Sequence, residues 1–176
     1  MQIKNRFEVP IPPDEAYPFL IDISSIVPCF PGAELVEKID EDNFKGRVTV
    51  RLGPLMMVFN GKLNIASRDA AARAGVVKAT WNEAKGRGNA TSVTRFAMND
   101  HGGGTRVEMV SDIQLAGAVA QYGRGTGMIA DISAQLVDKF ALNLRDTIDA
   151  VALDPKNAEI SGLTLVSRAL LNRLKR

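Results

Sequence analysis

The sequence predicts an α+β fold, a curved antiparallel seven-stranded sheet wrapped around a long C-terminal helix, with two short helices after the first strand. Three observations carry that expectation. Apolar and polar residues alternate with period two over Gln2 to Val9, and again between turn residues from Ala33 to Leu115, which marks strands with one dry face. A proline-rich stretch from Pro10 to Pro31 separates these two regions. After Gly127 the apolar residues recur at steps of three and four, the stripe of an amphipathic helix.

The first strand sets Ile3, Asn5, Phe7 and Val9 against Gln2, Lys4, Arg6 and Glu8. Pro10, Pro12 and Pro13 end it, and Pro13-Asp14-Glu15 suits a first helical turn, because proline fits there and acids favour the positive end of the helix dipole. This helix runs through Phe19 and Leu20, and Asp22 to Val27 makes a second brief turn before Pro28-Cys29-Phe30-Pro31-Gly32 bends the chain. Six strands then follow as a meander. Glu34 to Ile39 leads to a turn at Asp40-Glu41-Asp42-Asn43, and Phe44, Gly46, Val48, Val50 and Leu52 face one way up to Gly53-Pro54. Met57, Phe59, Gly61, Leu63 and Ile65 mark the next strand, Val77, Ala79 and Trp81 another, and Phe96 and Met98 the one after. His101-Gly102-Gly103-Gly104 turns into Val107, Met109, Ile113 and Leu115. The long helix places Ile129, Ile132, Leu136, Phe140, Leu144, Ile148 and Val151 on one side and Asp131, Gln135, Asp138, Asn143 and Asp146 on the other, so it should lie across the concave side of the sheet. Leu153-Asp154-Pro155 ends it.

A chain of 176 residues fits one domain with a tail, read here as 1–153 and 154–176. Hydrophobic residues at 45% and charged ones at 24% exclude a disordered or collagen-like chain. Of 22 basic and 20 acidic residues, the stretch 156–176 holds Lys156, Arg168, Arg173, Lys175 and Arg176 against Glu159 alone, leaving a slightly acidic body of 17 and 19. A basic tail on a near-neutral body does not suit nucleic acid, since no stretch interleaves basic and aromatic residues. Cys29 is the one cysteine, and the N-terminus lacks a signal-peptide pattern, so a cytoplasmic location is expected. No apolar run approaches the roughly 20 residues that span a bilayer.

The inventory for chemistry is thin. His101 and Cys29 stand alone, which leaves no Cys/His set for a transition metal and no oriented base for a thiol nucleophile. Cys29 is read as a small buried hydrophobe and His101 as a solvated loop residue. Gly123-Arg124-Gly125-Thr126-Gly127 precedes a helix and could cradle phosphate, but its spacing matches neither nucleotide-binding pattern, and close packing at a bend explains the glycines better. A cyclase-type activity would need a poised acid–base pair that the chain does not offer.

Two features point to binding. The apolar set Met56, Met57, Phe59, Trp81, Phe96, Met98, Met109, Met128 and Phe140 serves either a packed core or a pocket, and a curved sheet under a single helix is hard to fill, which favours a pocket. The expected ligand-binding set is these residues without Met56, together with Phe19, Phe30, Val48, Ile132 and Leu136. The tail, drawn as a helix, gathers Leu163, Leu170, Leu171 and Leu174 on one arc, with Arg168, Lys175 and Arg176 mainly opposite and Arg173 adding to its charge. That is an interfacial pattern: each basic residue near an anionic leaflet is worth about 1 kcal/mol, enough with the leucines for reversible binding. The expected partner is the anionic cytoplasmic membrane surface, contacted peripherally; docking of the same leucines on the body or on a partner protein is the alternative.

Phe7-Glu8-Val9 with Pro13-Asp14-Glu15, Val27-Pro28-Cys29-Phe30-Pro31-Gly32-Ala33, Gly46-Arg47-Val48 with Leu52-Gly53-Pro54, Phe59-Asn60-Gly61, Gly86-Arg87-Gly88, Gly104-Thr105-Arg106-Val107 and Gly117 to Gly123 together resemble the carbon monoxide dehydrogenase G-subunit family. That family lies in the helix-grip, START-like (SRPBCC) superfamily. The resemblance covers about residues 1 to 150. It implies the helix-grip fold and an accessory role beside a molybdenum-containing carbon monoxide dehydrogenase or related hydroxylase, in membrane attachment, electron delivery or maturation. It does not imply that this chain holds molybdenum, iron–sulfur or flavin. No covalently bound cofactor is expected; a bound quinone is, on the strength of the family's enzyme context and not of these residues. Relatives in the superfamily include lipid carriers and cyclases, so the fold alone does not choose the function.

Overall fold

The computed structural model describes residues 1–52, 55–123 and 127–153. Strands β1 (Gln2–Val9), β2 (Ala33–Lys38), β3 (Asn43–Leu52), β4 (Leu55–Asp69), β5 (Ala74–Glu83), β6 (Gly88–His101) and β7 (Gly104–Gly117) form one antiparallel sheet in the order β1-β7-β6-β5-β4-β3-β2. Sequence neighbours pair throughout, except that β1 joins the last strand. β1 and β2 therefore occupy opposite edges, six inter-strand spacings or roughly 29 Å apart along the sheet. The segment between them must cross that width, and it does so as α1 (Pro13–Leu20), α2 (Ile23–Ile26) and a 3-10 turn at Val27–Cys29.

Local chemistry sets these stops and starts. Pro13 opens α1 with Asp14 and Glu15 in its first turn. Asp22 caps α2, accepting from the Ser24 amide at 3.1 Å and from the Ser25 hydroxyl at 2.6 Å. Asp40 holds the β2–β3 turn by accepting from the amides of Asp42 and Asn43. Register shifts at Leu35/Glu37 and Ile65/Ser67 bend β2 and β4, and the sheet curls around α3 (Met128–Leu153).

Half of the enclosed space is solid. Phe7, Val9, Phe19, Met98, Val107, Phe140, Leu144 and Ile148 pack as one cluster beneath the C-terminal half of α3, with Phe96 and Met109 against it. The rings of Phe7 and Phe140 meet edge to face at 5.4 Å. Thr105 is buried there, and its hydroxyl donates to the Ile11 carbonyl at 2.7 Å. Polar ties dock α3: Asn143 Nδ2 donates to the Cys29 carbonyl at 2.9 Å and Arg145 Nε to the Glu8 carbonyl at 3.1 Å.

The structure departs from the sequence reading in three places. β6 begins at Gly88, well before Phe96, because its inward positions there are Ala90, Ser92 and Thr94, which give no apolar alternation. A 3-10 helix covers Ala118–Gly123, where Gly117 and Gly88, both at positive φ, let the backbones approach closely. His101 is not a free loop residue: it ends β6, with Nε2 2.7 Å from Arg106 Nη2 and 3.3 Å from Glu8 Oε1. Cys29 is buried, with Sγ 3.4 Å from Thr147 Oγ1. Gly53-Pro54, the 124–126 part of the glycine run and the whole tail 154–176 lie outside the described residues.

Candidate functional site

The other half of the interior is hollow. A partly open cavity of about 320 Å³ lies between the sheet and the N-terminal half of α3. Its floor is the concave face of five consecutive strands, Val48 and Val50 on β3, Phe59 on β4, Trp81 on β5, Ala90 and Ser92 on β6, and Ile113 and Leu115 on β7. Ile129, Ile132, Leu136 and Val137 form the roof, and Val119 and Tyr122 of the 3-10 helix flank it. No charged side chain lines it among the described residues, and the size falls at the lower end of small-molecule pockets.

The hollow has a cause in the sequence. Trp81 lies across Gly61 and Gly46, where a Cβ on Gly61 would stand 2.5 Å from Trp81 Cε3 and one on Gly46 3.7 Å from its Cη2. Two strands thus lack side chains where the indole crosses them, and the ring spreads along the floor. Small residues at Ala90 and Ser92 keep the next strand low. The inner wall is aromatic, since Phe30, in the lining, tilts against Phe140 of the packed half at 5.7 Å.

A polar row marks the boundary between hollow and solid. Along β7, Val107 and Met109 belong to the core, Ile113 and Leu115 to the cavity, and Ser111 stands between them. Along β6, Met98 and Phe96 give way to Ser92 and Ala90 through Thr94. Thr94 and Ser111 are register partners whose hydroxyls share a hydrogen bond of 2.8 Å. On β1, Asn5 Nδ2 donates to Ser133 Oγ of α3 at 2.7 Å.

At the end of β5, the carboxylate of Glu83, paired in register with Phe59, is buried. It accepts from Arg87 Nη2 at 2.7 Å and from the amides of Lys85 at 2.9 Å and Arg87 at 3.1 Å. The Arg87 hydrogen bond leads in holding its pKa down, from an ordinary 4.5 to about 2, with the two amides adding to it.

Of the thirteen expected ligand residues, the structure brings Phe30, Val48, Phe59, Trp81, Ile132 and Leu136 together around the cavity. Phe19, Met98 and Phe140 lie instead in the packed cluster, with Phe96 and Met109 against it. Met57 is fully buried outside the lining, and Met128 is 43% exposed, as Met56 is at 58%. A side chain on the inward face meets the core or the cavity according to its distance along the strand, which periodicity does not encode. The lining also takes Val50, Ile113, Leu115 and Ile129, expected only as inward-facing, with Val119 and Val137, and the polar Ser92, Ser133 and Tyr122, which a search for apolar residues passes over. The membrane-binding residues expected at Leu163, Arg168, Leu170, Leu171, Arg173, Leu174, Lys175 and Arg176 lie outside the described residues. The cavity lies under the far end of α3 from residue 153, about 24 Å from Val137 along the helix.

A second depression, of about 480 Å³, lies on the convex face beside Lys45, Arg47 and Lys62, outside the sheet–helix layer. Lys45 and Arg47 are paired there with Glu37 and Glu34. No group of three or more potential metal-ligating side chains occurs among the described residues. None of their helices is long and apolar enough to cross a membrane.

Comparison with solved structures places this architecture. A conserved protein from Geobacillus kaustophilus superposes with a TM-score of 0.73 at 15% identity, over 85% of this chain and 96% of that one. A START superfamily protein from Mycobacterium smegmatis gives 0.53 at 12% identity, over 85% and 98%. Another protein from that organism gives 0.60 at 15%, over 85% and 91%. At these identities the likeness is one of fold, the START-like helix-grip. No curated protein sequence matches the chain. The model of one family does match, across residues 6–149, and covers both the packed and the hollow half: the chain belongs to the CoxG family, that of the carbon monoxide dehydrogenase G-subunit.

Proposed function

We propose that this chain is a non-enzymatic accessory protein of a molybdenum-containing carbon monoxide dehydrogenase, or a related hydroxylase. It takes an apolar molecule, a membrane quinone, into the cavity and links the enzyme to the cytoplasmic membrane surface through its basic tail. The observation that carries the reading is the uncharged apolar space of about 320 Å³ held open beneath α3. Family membership supplies the enzyme context. The tail's alternation of leucine and basic residues supports the membrane contact.

Mass spectrometry of the full-length protein after exposure to a native membrane lipid extract tests the carrier role. A co-eluting quinone or other apolar compound is expected, and its absence would count against the cavity as a binding site. Flotation with anionic liposomes tests the link: full-length protein should float and a version ending at Leu153 should not. A ligand-free adaptor or maturation factor is the second reading, favoured by the solid packing of the Phe7–Phe140 half. Such an adaptor would bind the dehydrogenase equally well after Ala90→Phe fills the cavity, whereas a carrier would lose ligand.

A further inference from the structure

We infer that the inner end of the cavity is a hydrogen-bonding seat, formed by the hydroxyls of Ser92 and Ser133, for a neutral oxygen acceptor such as the carbonyl of an otherwise apolar ligand. This inference rests on the proposed carrier reading and adds to it the ligand's polarity and its orientation in the cavity.

Three observations lead there. Ser92 and Ser133 line the cavity from opposite sides, one on the sheet and one on the helix. Their donors are unspent: Ser133 Oγ accepts from Asn5 Nδ2, and neither serine donates to another described residue. Thr147 on the same helix shows the alternative, donating its hydroxyl to the Asn143 carbonyl one turn back. Thr94 and Ser111, beside them in the boundary row, already satisfy each other. Two half-buried hydroxyls thus border a largely apolar cavity, and a guest that displaces solvent from it must supply an acceptor or leave both donors unpaired.

The chemistry of the lining narrows the guest. With no cation among the described lining residues, a carboxylate or phosphate would enter without a counter-charge, which is strongly disfavoured in an apolar surround. A carbonyl meets the two donors at no such penalty. The guest lies with its carbonyl at the Ser92–Ser133 end and its hydrocarbon along Trp81, Phe59 and Leu115.

Trp81 is the sole tryptophan and lines the cavity, so its fluorescence reports occupancy. The full-length protein is titrated with undecyl methyl ketone, with n-tridecane of the same length and with tridecanoate, each delivered from cyclodextrin. The ketone should bind tightest, by about fivefold over the alkane for each hydroxyl engaged. Ser92→Ala with Ser133→Ala should erase that preference, chiefly by weakening ketone binding, with the alkane bound at least as well as by the wild type; a cooperative thermal transition followed by circular dichroism shows that the variant is folded. Equal binding of ketone and alkane to the wild type, a preference that survives in the double variant, or a carboxylate that binds best would each overturn the seat and leave the apolar cavity standing. Failure of all three probes to bind would instead overturn the carrier reading.

Discussion

Glu83 shows how one residue can hold a strand end and the turn that follows it. Its carboxylate is buried, so the charged form depends on the hydrogen bonds from the Arg87 side chain and from the amides of Lys85 and Arg87. A pKa depressed from 4.5 to about 2 means that the unfolded chain takes up the proton first as the pH falls. The stabilisation is therefore complete above about pH 4.5 and is lost as the pH falls toward 2. Glu83→Gln should lower the melting temperature at neutral pH and flatten its dependence across that acid window, measured by circular dichroism. The indole of Trp81 makes a second residue-scale case. Gly61→Ala puts a methyl into the ring and closer still to the Thr80 carbonyl, so both the β4–β5 pairing and the indole must shift. Lower melting temperature and weaker ligand binding should appear together; binding at wild-type affinity would show that the indole does not form the floor.

At the scale of elements, α3 does two jobs along its length. Leu144 and Ile148 are 0% and 1% exposed and pack on β1 and the short helices, whereas Leu136 faces the cavity. Leu144→Ala should cost about 2–5 kcal/mol, the range for deleting a fully packed leucine. Leu136→Ala should cost less than half of that, because part of its surroundings is already empty. Urea denaturation of both variants checks the contrast, and equal losses would mean that the hollow half is packed. The helix was legible because its apolar stripe persists over seven turns, and β1, β3 and β4 were legible because their inward positions alternate in size and polarity. The first half of β6 was not, since Ala90, Ser92 and Thr94 present small or polar groups to the interior. The residues that hid that strand also form the cavity's polar end.

Across the whole molecule, a ligand that binds the folded state alone must stabilise it. At a hundredfold excess over its dissociation constant the gain is about 2.7 kcal/mol, which for a chain of this length corresponds to a rise of about 5–10 °C in melting temperature. Ala90→Phe should abolish that rise while leaving the apo protein folded, read by scanning calorimetry with and without the ketone probe. The sequence by itself determined the order of elements, the inward face of nearly every strand, the family resemblance and the charge segregation into 156–176, because each is written in periods of two or three to four residues or in local motifs. It did not determine which inward residues touch each other and which face empty space. Phe96 and Trp81 belong to the same inward face, yet one packs against the core and the other lines the cavity. That partition depends on how far along α3 each strand crosses it and on Gly46 and Gly61 meeting under one indole. These are relations between residues distant in the chain, and packing in three dimensions alone decides them.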